Sequence, residues 1–174
     1  DSNHEDGEYI SAKDKNVIII GGGDTGTDCV ATSLRHGCKS LVQFEIMGEP
    51  VKERAANNPW PEWPKVLKVD YGQEEYIELF GKDPREYLTT VTKVNTDKDG
   101  NVESVDTVKV EWKKDKNGRL APIPVEGSEK NYKTELILLA MGFVGSQNYI
   151  KEAFGVESDT RSNIKAEYGS FNTN

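Results

Sequence analysis

Apolar residues fall along this chain in three rhythms, and each predicts a different element. The run Val17-Ile18-Ile19-Ile20 is continuous and β-branched, as a buried strand requires. Behind it Gly26, Val30 and Leu34 recur every fourth position, so they share one face of a helix packed on the sheet. That helix is predicted from Asp24-Thr25, whose side chains suit a helix start, to about His36, with Gly37 as the stop. Ser40 to Ile46 reads as the next strand and closes a βαβ unit over roughly 16–47. A second helix is predicted over Gln73 to Phe80, ended by Gly81, and a third strand over Leu88 to Asn95.

From about residue 88 to 126 the rhythm drops to two. Val108, Val110 and Trp112 alternate with Lys109 and Glu111, the pattern of a half-buried antiparallel strand. Asp99-Gly100 and Asn117-Gly118 are hairpin turn pairs, so this stretch is predicted to be a β-meander. The run Thr134 to Gly142 is again nearly all apolar, which predicts a fully buried central parallel strand ending in Ala140-Met141-Gly142. Asn57-Asn58-Pro59-Trp60-Pro61-Glu62-Trp63-Pro64 can be neither regular helix nor central strand. It is either an ordered surface loop pinned by its indoles or a contact surface or lid beside a bound nucleotide.

The chemistry enters where the first strand ends. Gly21-Gly22-Gly23-Asp24-Thr25-Gly26 spells Gly-x-Gly-x-x-Gly between a strand and a helix. Gly21 permits the tight turn, Gly23 lets a pyrophosphate approach the backbone, and Gly26 lets helix and strand pack closely. The N–H groups of Asp24 and Thr25 then face the phosphates at the positive end of the helix. Asp24 itself is read as a helix-start residue turned from the phosphates, and Asp28 as a solvated helix residue. Glu45 lies nineteen positions beyond Gly26, near the end of the second strand. A carboxylate there accepts hydrogen bonds from a ribose 2′-OH and repels a 2′-phosphate, which favours NADH over NADPH. The competing reading is a solvent-facing residue at a strand end. Lys52 and Arg54, just beyond, are placed to meet a 2′-phosphate. The fold class is therefore α/β: a Rossmann-like, three-layer domain on a parallel sheet over 15–147, with the antiparallel meander inserted.

Composition narrows the partners. With 22 Lys+Arg against 30 Asp+Glu, the net charge is −8, which argues against a nucleic-acid partner. No apolar run is long enough to span a bilayer, and no membrane partner is expected. Cys29 and Cys38 fit no CxxC pattern and read as reduced thiols of a cytoplasmic protein. With His4 and His36 as the only histidines, no metal site is expected in this chain. A start at Asp1 without Met and an end at Asn174 without a structural stop read as a domain excised from a larger polypeptide.

These motifs together resemble the NAD(P)H-binding domain of flavoprotein oxidoreductases that bind two dinucleotides. Within that superfamily the chain is most similar to the small subunit, or fused equivalent, of glutamate synthase. The narrower resemblance rests on Gly21 to Cys29, Arg35-His36-Gly37, Asn58 to Pro64, Phe80 to Arg85, and Lys165-Ala166-Glu167-Tyr168-Gly169. It opens a second reading of Asp24, as a contact to the flavin domain or the nicotinamide ribose, and it implies that NADH or NADPH docks here and passes hydride to FAD. Electrons then travel through iron–sulfur clusters to FMN in a large subunit or domain, where glutamine and 2-oxoglutarate yield glutamate.

The resemblance also implies that residues 1–14 are a linker or edge of the FAD domain, and 148–174 the truncated start of its C-terminal segment. The FAD domain of the same polypeptide and the glutamate synthase large subunit are then the expected partners. The fragment alone is not expected to turn over. Hydride transfer needs no acid or base from the protein, so no catalytic residue is assigned. The expected cofactor-binding set is Gly21, Gly22, Gly23, Asp24, Thr25, Gly26 and Glu45, with Ala140, Met141 and Gly142 on the nicotinamide side. Two other readings stay open: the same domain of a dihydropyrimidine dehydrogenase-like flavin and iron–sulfur reductase, and a non-catalytic dinucleotide-binding module.

Overall fold

Val17 and Ile19 leave the first strand on one side and Ile18 on the other, and this alternation sets the layers. The computed structural model describes residues 9–114, 116 and 118–174. Strands β1 (Asn16–Ile20), β2 (Ser40–Glu45), β3 (Arg85–Tyr87) and β8 (Leu136–Leu139) form a parallel sheet in the order β3-β2-β1-β8. On one face Val17, Ile19 and Leu41 pack with Val30 of helix α1 (Asp24–Arg35) and Tyr76 of α2 (Tyr71–Phe80). On the other face Ile18 and Phe44 pack with Val105, which belongs to a second, antiparallel sheet. The three layers are thus helices, parallel sheet and antiparallel sheet. Burying such side chains stabilises the fold by about 1.5–3 kcal/mol each before the chain's ordering cost is subtracted.

The antiparallel sheet is built on the long β5 (Val102–Lys114). β4 (Thr89–Thr96) pairs with it through a turn at Asp97–Asn101, where Gly100 takes φ +86° and donates to the Asp97 carbonyl. β6 (Leu120–Pro124) pairs with the C-terminal part of β5, and β7 (Lys130–Lys133) with its N-terminal part. The meander thus takes in residues up to Lys133, beyond the predicted limit near 126. Asn117 of the predicted second turn lies outside the described residues.

Three expectations need correction. The third parallel strand is the short β3, and the predicted Leu88–Asn95 strand is β4 of the other sheet. Leu88 stands between them with φ +52°, and the chain changes sheets there. The Thr134–Gly142 run is neither central nor fully buried. β8 is an edge strand: Leu136, Ile137 and Leu138 are half-buried and Leu139 is 66% exposed. It has β1 on one side and no strand on the other among the described residues, so its apolarity exceeds what this sheet buries. Finally, the second helix starts two residues early. Asp70 caps it by accepting from the Tyr71 N–H (2.7 Å), and Gln73 completes a capping box.

The chain divides into two units, one ending at Met141 and one from Gly142 to Asn174. The second holds the short helix α3 (Asn148–Phe154), a bridge between Ser158 and Ile164, and an ion pair between Lys165 and Glu157 (2.7 Å).

Candidate nucleotide-binding site

The four glycines that follow β1, the last of them inside α1, are small for different reasons. Gly21 has φ +122°, and a Cβ there would overlap the backbone of Ala140, whose N–H donates to Ile20 (2.8 Å). A Cβ on Gly22 would overlap the Glu45 carboxylate, and one on Gly26 the carbonyl of Gly21 and the Gln43 amide. Gly23 alone would carry a Cβ into open space, with nothing within 4 Å. Backbone packing thus requires Gly21 and Gly26, Gly22 makes room for the Glu45 side chain, and Gly23 leaves its space to whatever approaches from outside.

Gly23 is also the N-cap of α1, with extended backbone and no side-chain cap. The first intrahelical bond there runs from Thr27 N–H to the Gly23 carbonyl (3.1 Å), so Asp24 and Thr25 supply leading N–H groups that the helix itself cannot pair. Both residues are exposed. Asp24 is the first residue of the helix, where its charge suits the dipole. Asp28, read as merely solvated, is exposed but accepts from the Tyr71 hydroxyl (2.5 Å).

Glu45 stands at the end of β2, half-buried, with Oε1 accepting from the Met47 N–H (2.8 Å) and the other oxygen over Gly22. The Trp112 indole N–H donates to the Ile46 carbonyl (3.0 Å) and fixes the segment just beyond. A cleft of about 350 Å³ at the carboxyl ends of β1, β2 and β8 gathers Gly21, Gly22, Gly23, Glu45, Ala140 and Met141. Ile20, Phe44, Ile46, Thr89 and Thr90 complete its walls. The structure therefore brings together glycines, a carboxylate and a strand end drawn from residues 21 to 141. Gly142 is the first residue of the second unit and has φ +87°.

Two site residues escape the sequence reading. Gln43 is fully buried in β2 and donates from Nε2 to the Gly21 carbonyl (2.8 Å). Its Oε1 accepts from Gln73 Nε2 (2.9 Å), and Gln73 Oε1 accepts from the Thr27 hydroxyl (2.6 Å) and the Asp70 N–H (3.3 Å). The signal was available: an uncharged polar residue at the same parity as Leu41, facing the helices from inside a strand.

The proline–tryptophan segment is ordered, but its indoles do not pin it. Trp60 is 82% exposed and Trp63 74%. Asn58, 2% exposed, holds it instead: its Nδ2 donates to the Trp63 carbonyl (3.0 Å) and its Oδ1 accepts from the Lys65 N–H (2.8 Å). Arg54 Nη1 donates to the carbonyls of Asn58 (3.1 Å) and Glu62 (2.9 Å), which ties this cation into the loop. Prolines leave few backbone donors here, so a buried amide supplies them. Cys29 and Cys38 are free and half-buried; burial pushes both thiols up, aided at Cys29 by the Asp28 charge. No helix among the described residues is long and apolar enough to cross a membrane.

No protein-family profile matches the chain. Curated relatives do. The NADH glutamate synthase of Schizosaccharomyces pombe is 44% identical over 173 residues, 99% of this chain but 8% of that protein. The NADPH glutamate synthase small chain of Bacillus subtilis is 41% identical over 174 residues, all of this chain and 35% of that one. The chain thus spans about a third or less of the length of these relatives. Among solved structures, FprA of Mycobacterium tuberculosis superposes with a TM-score of 0.59 at 13% identity, over 91% of this chain and 45% of that one. The bacillithiol disulfide reductase of Staphylococcus aureus gives 0.55 at 14%, over 94% and 40%. Over its whole length, then, the chain is homologous to a segment that NADH glutamate synthases and NADPH glutamate synthase small chains share.

Proposed function

We propose that this chain is the NAD(P)H-binding module of a glutamate synthase, with NADH as the preferred dinucleotide. One observation carries the reading: the glycine turn, Glu45 and the Ala140-Met141 strand end meet in one cleft at the carboxyl edge of a parallel sheet. That edge is where open α/β sheets bind ligands. The residues fit a dinucleotide: Gly23 leaves open space before an uncapped helix start, and it lines the same cleft as Glu45, Ala140 and Met141.

The bound dinucleotide would supply hydride, and FAD in the neighbouring domain of the parent polypeptide would accept it. The chain's own residues bind and orient. Gly22, Gly23 and the N–H groups of Asp24 and Thr25 receive the pyrophosphate, Glu45 accepts from the ribose, and Ala140 and Met141 border the nicotinamide. Reduction of 2-oxoglutarate with glutamine nitrogen, through iron–sulfur clusters and FMN, belongs to the large subunit or domain. Homology to glutamate synthases of both cofactor names supports the family side of this reading and leaves the choice of dinucleotide to Glu45.

Calorimetric titration with NADH and NADPH at matched ionic strength tests it. Tighter NADH binding, weakened selectively in Glu45→Ala, is the expected result. Tighter NADPH binding would overturn the Glu45 role, and binding of neither would overturn the module.

A further inference from the structure

A second cleft, of about 310 Å³, opens on the other side of the glycine turn and shares Gly22, Gly23 and no other lining residue with the first. A dinucleotide is two nucleosides joined by a pyrophosphate, so two clefts that share only the glycine turn match its outline. One bank of the second cleft is Gly22, Gly23 and Asp24; the other is Trp63, Pro64 and Lys68. We propose that Trp63 and Lys68 form the adenosine-side wall of the site, and that Lys68 is the residue that admits a 2′-phosphate. The proposal rests on the reading of the chain as a dinucleotide-binding module.

Trp63 has the character of a stacking platform. It keeps 74% of its surface bare, yet the loop that carries it is fixed by the buried Asn58. An exposed aromatic ring held rigid loses little freedom when a base stacks on it. Lys68 lies with Nζ 4.7 Å from the ring centroid. Among the described residues it has no carboxylate partner, although the chain carries excess acid. Arg85, the other cation of the cleft, is committed: it donates to Asp83 at 2.9 and 2.6 Å and to the Lys68 carbonyl at 2.8 Å. The positive charge of the cleft that has no carboxylate partner is therefore the Lys68 ammonium, which lies over the Trp63 ring. Glu45, whose carboxylate lies over Gly22 where the clefts meet, opposes the same phosphate. Dinucleotide preference then becomes a balance between Glu45 and Lys68.

The probes are 5′-ADP and 2′,5′-ADP, titrated calorimetrically into the wild-type chain, Trp63→Ala and Lys68→Met, with NADH and Gly23→Val alongside. Trp63→Ala is expected to weaken both ADP probes by about tenfold, as loss of a base–aromatic stack does. Lys68→Met should weaken 2′,5′-ADP by about tenfold and 5′-ADP by less than about twofold, because it removes a charge-assisted contact to the extra phosphate alone. Both side chains are exposed, so unchanged thermal melts are expected. As a second readout, the Trp63 indole N–H resonance should shift on addition of 5′-ADP to the unmutated chain. If NADH binds and Gly23→Val abolishes it, while both wall variants bind the ADP probes like wild type and the indole resonance stays still, the wall is overturned and the module stands. If the wild-type chain binds neither NADH nor the ADP probes, both fall.

Discussion

Gln43 Nε2 donates to the carbonyl oxygen of Gly21 across 2.8 Å, so the turn after β1 is held by the side chain of the adjacent strand. Replacing Gln43 by Leu keeps the volume roughly constant but strands the Gly21 carbonyl and the Gln73 amide in the interior. An unsatisfied buried polar group costs about 1–3 kcal/mol. The expected outcome is a loss of about 2 kcal/mol or more in urea denaturation. Weaker NADH binding should accompany it in whatever fraction stays folded.

Gly23 and Gly26 separate ligand space from packing space. Gly23→Val projects into the open, so the chain should fold with a loss of at most about 1 kcal/mol at the cap while NADH binding disappears. Gly26→Ala adds one methyl group, yet that group meets the Gly21 carbonyl and the Gln43 amide. It should destabilise by about 1–3 kcal/mol through overpacking. Thermal melts and NADH titrations on the two variants check the contrast, and equal melting temperatures would refute it.

The proline–tryptophan segment predicts an inverted order of importance among its residues. Asn58→Ala removes the buried amide that closes the loop, so hydrogen exchange or limited proteolysis across residues 54–65 should rise sharply. Trp60→Ala, at an 82% exposed position, should change stability by less than about 0.5 kcal/mol. Should the Trp60 variant open the loop and the Asn58 variant not, the mooring described above is wrong.

Acid stability should carry the mark of Asp83. Burial alone would raise its carboxyl, but the Arg85 guanidinium and backbone N–H bonded to it hold it below the ordinary carboxylate range. A carboxyl lower in the folded than in the unfolded chain stabilises fully above its unfolded value, near about pH 4, and loses that contribution as pH falls through the folded value. Asp83→Asn should therefore lower stability at neutral pH and flatten its decline below about pH 4. Denaturation midpoints measured from pH 6 to pH 2 would show the two curves converging; parallel curves would refute the assignment.

Strand and helix positions were legible because β1, α1 and β2 bury their own periodicity. Val17, Val30 and Leu41 meet in one core cluster, as continuous and four-spaced patterns require. The glycine turn was legible for the same reason that it works: each glycine sits where a side chain would collide or intrude. What stayed hidden depends on contacts distant in sequence. Nothing local marks Gln43 and Gln73 as partners thirty residues apart, and nothing in Leu88 alone announces that the chain changes sheets. β8 misleads for another reason. Its side chains are as apolar as a central strand's, but the sheet ends there among the described residues. The indoles mislead likewise, since aromatic residues in a loop suggest anchors and here the anchor is an asparagine.

Gln73 bonds Thr27 on one bank of the second cleft and the backbone of Asp70, where the loop runs into α2, on the other. Through Gln43 the same polar relay reaches the glycine turn. The separation of α1 and α2 beside this cleft is therefore gauged by side chains: widening it means breaking the buried Thr27–Gln73 bond. A ligand of the right breadth enters a slot already cut, and the entropy of ordering it is settled when the chain folds, not when the ligand arrives. On the proposed function, such a slot would discriminate by rejecting what is too wide, with its frame set before any ligand arrives.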